Sequence, residues 1–139
     1  MESPWKRYEA VPENYNAIRD DMIESAKKAG VSAAKLVKLE LGFEEIVVNV
    51  INYAYDSIRR PILIKWYIVG NRFKIEVADY GKKYNPLNAP QRAYPPTLNQ
   101  SPGGYGVFLV KKIFSSVTYE YEEIEGSPAN HLMMELTIK

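Results

Sequence analysis

The chain has 139 residues, 46% of them hydrophobic and 25% charged, and a formal net charge of +1. That length and balance predict one globular domain, residues 1–139, with a core of ordinary size, and nothing global points to nucleic acid as a direct partner. There is no cysteine and a single histidine, His131. Disulfides, thiolate metal sites and cysteine nucleophiles are therefore excluded, and any Ser-His-Asp triad would depend on that one imidazole.

The start, MESPWKRYEA, lacks the apolar core of a signal peptide. The apolar runs are too short to span a bilayer. A soluble, cytoplasmic protein without a membrane partner is expected. Trp5 to Val11 alternates weakly and reads as an edge strand, broken by Pro12. Asn14 is a plausible cap for a helix over 15–29, whose inner face would be Ile18, Met22, Ile23 and Ala26. Gly30 stops that helix and Ser32 can cap the next. A second helix is expected from Ala33 to about Tyr55, because Leu36, Leu39, Phe43, Val47, Val50 and Ala54 recur at helical spacing.

Pro61 opens a strand over 62–69, Gly70-Asn71 is a hairpin signal, and Arg72 to Asp79 is the return strand. A two-residue turn sets Ile68 against Phe73, Trp66 against Ile75 and Ile64 against Val77 on one face, with Lys65 against Glu76 on the other. Residues 84–103 hold five of the nine prolines and form a loop too long for a simple connection. A short helix over 105–115 and strands over 117–124 and 131–138, turned by Gly126-Ser127-Pro128, complete the chain. The fold class predicted is an α+β two-layer sandwich. Helices would cover one face of a mostly antiparallel, mixed sheet, and water would meet the other.

Between Tyr80 and Tyr119 there is no Asp or Glu, while Lys82, Lys83, Arg92, Lys111 and Lys112 fall inside that stretch. The strand register points Asp79 at the helix layer, where a carboxylate needs a donor. That donor is either the exocyclic amine of a purine or the turn amides near Gly81. Glu45 and Asn49, spaced i, i+4, share one helix face. Asn49 can offer a neutral oxygen to Mg²⁺, and Glu45 can act as a general base. The other reading of that face is a solvated stripe, Lys38–Glu45–Asn49–Asn52. Gly103-Gly104-Tyr105-Gly106 opens a helix. It is either a phosphate cradle or an ordinary loop-to-helix joint, and it matches neither a Walker A loop nor a dinucleotide fingerprint.

Three segments taken in order carry a resemblance. FEEIVVNVINYAY resembles the N box, Glu-x-x-x-Asn-x-x-x-His/Tyr-Ala-Tyr; VADYGKKYNP resembles the first glycine box; GGYGVFLVKKIFSSVTYE resembles the second. These are motifs of the Bergerat-fold ATPases, among them gyrase B, histidine-kinase catalytic domains and the anti-sigma-factor serine/threonine kinases. The short chain and the Tyr-Ala-Tyr ending favour the last group.

The resemblance implies ATP and Mg²⁺ as cofactors, with Asn49 holding the metal and Glu45 activating the attacking hydroxyl. Asp79 would recognise adenine and Gly81 would let the base approach. Tyr53 and Pro86 would flank the nucleotide, residues 84–103 would form a lid, and Gly104, Tyr105, Gly106, Val107 and Phe108 would meet the phosphates. Arg19 would contact a protein partner. Tyr53 stands where many relatives carry His. Some relatives have a phosphate-reaching Thr near Asn130-His131, which His131 either replaces or leaves unfilled by serving a structural end.

The activity implied is a serine/threonine protein kinase that acts as an anti-sigma regulator and phosphorylates a STAS-type anti-anti-sigma protein. A sigma factor is a further partner and a homodimer the common assembly. The alternative is a nucleotide-gated binding module without kinase activity. The ATPase half of a histidine kinase is disfavoured, because no phospho-acceptor helix is seen ahead of the domain. A degenerate sandwich that binds only protein is the remaining reading.

Overall fold

The computed structural model describes residues 4–56, 60–88 and 105–139. The elements are β1 (Lys6–Glu9), α1 (Tyr15–Ala29), α2 (Ala33–Asn49), a π-helical segment (Val50–Ala54), β2 (Pro61–Val69), β3 (Arg72–Asp79), α3 (Tyr105–Ile113), β4 (Ser116–Ile124) and β5 (Ser127–Thr137). The five strands form one sheet in the order β1-β2-β3-β5-β4. All four pairings are antiparallel, so the sheet is open and antiparallel, without the parallel component expected of a mixed one among the described strands. The α+β two-layer architecture is as predicted. No helix among the described residues is long and apolar enough to cross a membrane.

The predicted hairpin register holds residue for residue: Ile68 opposes Phe73, Trp66 opposes Ile75, Ile64 opposes Val77 and Lys65 opposes Glu76. Gly70 has φ of 59°, as the first central residue of a II′ turn requires. The inner face is fully apolar at its centre, where Ile62, Ile64, Phe73, Ile75 and Met134 meet Ile18 and Met22 of α1 and Leu39, Phe43 and Val47 of α2. Removing most of such a side chain costs about 2–5 kcal/mol. Trp66 donates its indole N–H to Ser25 Oγ at 2.9 Å and ties the hairpin to α1.

Three local expectations are corrected. Asn14 does not cap α1: a 3₁₀ turn over Pro12–Asn14 runs straight into the helix, and the Asn14 amide donates to the Glu9 carbonyl instead. The regular α2 ends at Asn49, and the chain continues to Ala54 as a π-helical segment before Tyr55 turns extended. The β4–β5 turn is Glu125-Gly126, both at positive φ (51° and 91°), so Ser127 and Pro128 belong to the strand. The caps at Gly30 and Ser32 form as expected: Gly30 takes φ of 98° and Ser32 accepts from the Lys35 amide.

The outer face is not simply solvated. Lys65, Glu76 and His131 are buried there. His131 Nε2 lies 2.6 Å from Glu76 Oε1 and Nδ1 lies 2.9 Å from Glu122 Oε1. Tyr67 donates to the other Glu76 oxygen, and Lys65 Nζ is 3.9 Å from it. Trp5 closes the cluster, edge-on to the imidazole and beneath the Lys65 ammonium. Both ring nitrogens face carboxylates, so both donate and the ring is an imidazolium. Burial alone would lower the His131 pKa, but the bonds to Glu76 and Glu122 outweigh it and raise it. Burial likewise opposes ionisation of Glu76, yet His131, Tyr67 and Lys65 pull its pKa below the ordinary value. On this face His131 is turned away from the helix layer and held between Glu76 and Glu122.

A raised histidine pKa stabilises the fold fully below the ordinary 6.5 and loses its effect as pH climbs through the raised value. The depressed Glu76 contributes above the ordinary 4.5 and loses its effect as pH falls through the lowered value. His131→Gln should therefore cost about 1–3 kcal/mol between those limits, with the cost shrinking at alkaline pH. Urea unfolding of both proteins across pH measures it, and a pH-independent difference would show that the cluster is not ionised.

Candidate functional site

The candidate site sits where the end of α2 meets the end of β3. Asp79 is the last residue of β3 and is 8% exposed. It faces the helix layer, as the register predicted. Its Oδ1 accepts from the Gly81 amide at 2.9 Å and from Asn130 Nδ2 at 3.0 Å. Its Oδ2 carries no described hydrogen bond and is not among the sealed, unpartnered polar atoms of the described residues. Oδ2 is thus neither hydrogen-bonded among the described residues nor wholly sealed from solvent. Burial raises the Asp79 pKa, and the bonds from Asn130 and Gly81 oppose the rise without cancelling it. The two readings of Asp79 are thus compatible: one oxygen caps the turn and the other stays available.

Asn130, on β5 directly opposite Asp79, is the hub of the site. Its amide donates to Asp79 Oδ1, to the Lys82 carbonyl at 3.0 Å and to the Gly81 carbonyl at 3.3 Å. Its oxygen accepts from the Tyr84 amide at 2.9 Å and from the Tyr119 hydroxyl. Acceptors crowd one side of the amide and donors the other, so its orientation is settled by the network. By residue type alone its neighbour His131 stands out instead. The available signal was strand alternation: Leu132, Met134 and Leu136 face the core, so Asn130 shares their face.

The π-helical segment bolts α2 to this corner. The Tyr55 hydroxyl accepts from the Tyr80 amide at 2.8 Å and donates to the Pro61 carbonyl at 2.7 Å. Burial pushes its pKa up to about 12 against the opposing amide bond, so it stays neutral and able to donate. At Gly81 a Cβ would lie 3.0 Å from the Ala54 carbonyl carbon and from Asp79 Oδ1, and closer still to the Ala54 oxygen. Gly81 is thus needed for backbone packing.

Glu45 and Asn49 lie on α2 above that corner. Glu45 is half-buried and Asn49 exposed. Burial, and then Glu44, raise the Glu45 pKa. Asn49 stands five residues before Ala54 and Glu45 nine, so Glu45 is the farther of the two along the helix. Tyr53, within the π-helical segment, is 74% exposed. Pro86 begins a 3₁₀ turn that ends at Asn88.

Gly104, Arg92 and the lid expected over 84–103 lie, from residue 89 to residue 104, outside the described residues. Tyr105, Gly106, Val107 and Phe108 form the first turn of α3, and their side chains are likewise outside them. Lys83 packs its ammonium over the Tyr121 ring. Arg19 pairs with Asp20 at 3.0 Å and reaches Glu40 of α2 at 3.5 Å. A 120 Å³ cavity bordered by Tyr67, Lys74 and Glu76 is on the outer face and is too small for a nucleotide.

Gly81→Ala should destabilise the fold by about 1–3 kcal/mol through overpacking against Ala54. Urea denaturation reads it out, and an unchanged midpoint would mean that the two backbones have room to part.

A family profile of the histidine kinase-like ATPase domain matches residues 8–135. Comparison with curated proteins finds no match. The profile enters within β1 and leaves within β5, taking in the whole of the corner just described. On that span the chain belongs to the histidine kinase-like ATPase domain family.

Proposed function

We propose that this ATP-binding, kinase-like domain is a cytoplasmic serine/threonine protein kinase that serves as an anti-sigma regulator and phosphorylates a STAS-type anti-anti-sigma protein. The observation that carries the reading is the order of groups along one helix. The helix's end is fixed to the buried Asp79 through Tyr55 and Ala54. An exposed amide, Asn49, and a half-buried carboxylate, Glu45, follow at increasing distance. An extended nucleotide with its base at Asp79 would meet the amide first and the carboxylate last.

The residues present fit Mg²⁺, which takes oxygen ligands and keeps several of its waters and phosphate oxygens. The Asn49 side-chain oxygen would supply the protein's share. The metal, when bound, neutralises charge on the phosphates. The remaining work falls to the chain. Asp79 Oδ2 would accept from the adenine amine. Amides at the start of α3 would face the phosphates. Glu45 would take the proton from a partner serine or threonine hydroxyl as its oxygen attacks the γ-phosphorus and ADP departs. The burial that raises the Glu45 pKa makes it a stronger base than an exposed glutamate. Arg19, on α1, would lie in the partner surface, where an incoming carboxylate would compete with Asp20 and Glu40 for its guanidinium.

With radiolabelled ATP and a cognate STAS protein, label should pass to the partner. Glu45→Ala should lower that transfer by about 100-fold or more while leaving ATP affinity, measured by calorimetry, within about twofold of wild type. Partner capture that depends on nucleotide but transfers no label would instead identify a gated binding module. Transfer that survives Glu45→Ala would assign the base elsewhere.

A further inference from the structure

The Asn130 network goes further than holding a turn together. We propose that Asn130 is the positioning residue that sets purine selectivity: by pinning Oδ1 of Asp79, it leaves Oδ2 as a lone acceptor that takes a 6-aminopurine and turns away a 6-oxopurine. This inference rests on the reading that Asp79 faces the base of the nucleotide.

Asp79 Oδ1 is occupied from two sides, by the Gly81 amide and by Asn130 Nδ2. Donors on Oδ1 favour the ionised carboxylate, and with Oδ1 spoken for, any bond to a ligand must come through Oδ2. An ionised carboxylate only accepts. In the pose adenine takes, it matches the amino group and would meet a 6-oxo group lone pair to lone pair; the N1–H of a 6-oxopurine reaches it only if the base shifts.

The environment works against that ionisation, since burial drives Asp79 towards its neutral form. A neutral carboxyl would carry a donor and would welcome the oxo group. Asn130 is the side chain that opposes this outcome. Its amide cannot turn round to present its oxygen, because that oxygen is held by the Tyr84 amide and the Tyr119 hydroxyl while its nitrogen also serves the Gly81 and Lys82 carbonyls. The phenols of Tyr55 and Tyr119 at the corner are both pushed upward by burial and stay neutral near pH 7, and the Arg60 guanidinium is stacked on the Tyr80 ring. They do not substitute for it.

The test is calorimetric titration of the full chain with Mg-ATP and with Mg-ITP (inosine triphosphate, 6-oxo and without a 2-amino group) across the acid-to-neutral range. The ratio of the two Kd values cancels phosphate protonation common to both ligands. Wild type should prefer ATP by about tenfold or more near neutrality, and the preference should fade as pH drops and Asp79 protonates. In Asn130→Ala the midpoint of that fading should move to higher pH, with less than about threefold preference left at neutrality. Asn130→Asp, of the same size, should move it further still, because two facing carboxyls share a proton. Thermal unfolding selects the variants that are folded. If either folded variant keeps the wild-type midpoint and preference, Asn130 is only a structural tie and the proposal fails by itself. A wild type that binds ATP and ITP equally would overturn the placement of the base at Asp79, and the proposal with it.

Discussion

The hydrogen bond between Asn130 and Asp79 joins more of this molecule than any other described contact at the corner. It spans two paired strands, fixes which carboxylate oxygen is free, and through the same amide holds the backbone of Gly81, Lys82 and Tyr84. A carboxylate this buried is tolerated only with donors in place. The amide that supplies one of them also decides where the chain goes on leaving β3. The path of the segment towards Pro86 and the chemistry of the acidic group are therefore set together.

Two buried carboxylates three residues apart on β3 show how surroundings divide their roles. Glu76 and Asp79 point to opposite faces of the sheet, and burial resists the ionisation of both. Glu76 meets cations, the imidazolium of His131 and the ammonium of Lys65, and ends with its pKa lowered. Asp79 meets only neutral donors and ends with its pKa raised. The first is satisfied from within the protein and contributes to its stability. The second retains an unmet electrostatic demand, which is the usual condition of a group that waits for a ligand. An ionised Asp79 weakens the fold relative to its protonated form, and that cost is one a purely structural residue would have little reason to carry.

Much of the scaffold could be read from residue order. The β2–β3 register followed from a two-residue turn and the alternation of Ile64, Trp66 and Ile68 against Phe73, Ile75 and Val77, and that alone placed Asp79 inward. The helix faces followed from periodicity in the same way. Tertiary effects hid the rest. Asn14 found a carbonyl that the 3₁₀ turn brought near it. The outer face holds ions because Trp5, from the far end of the chain, folds over it. Asn130 lies just outside the strand expected over 131–138, and its place opposite Asp79 follows only from the longer β5 of the folded sheet.

The change of winding after Asn49 has a consequence for how the chain tolerates length variation. A π-helical segment holds one residue more than regular α-helical winding would use, so losing one residue between Val50 and Ala54 would let the helix relax to its ordinary pitch. The shortened helix would cover the same arc with one residue fewer and leave Tyr55 close to its present direction, against Tyr80 and Pro61. The segment is thus a place where the chain can lose a residue and keep its corner attached. Winding the same residues as regular α-helix with none removed would instead turn Tyr55 by about a quarter turn and carry its phenol away from Tyr80.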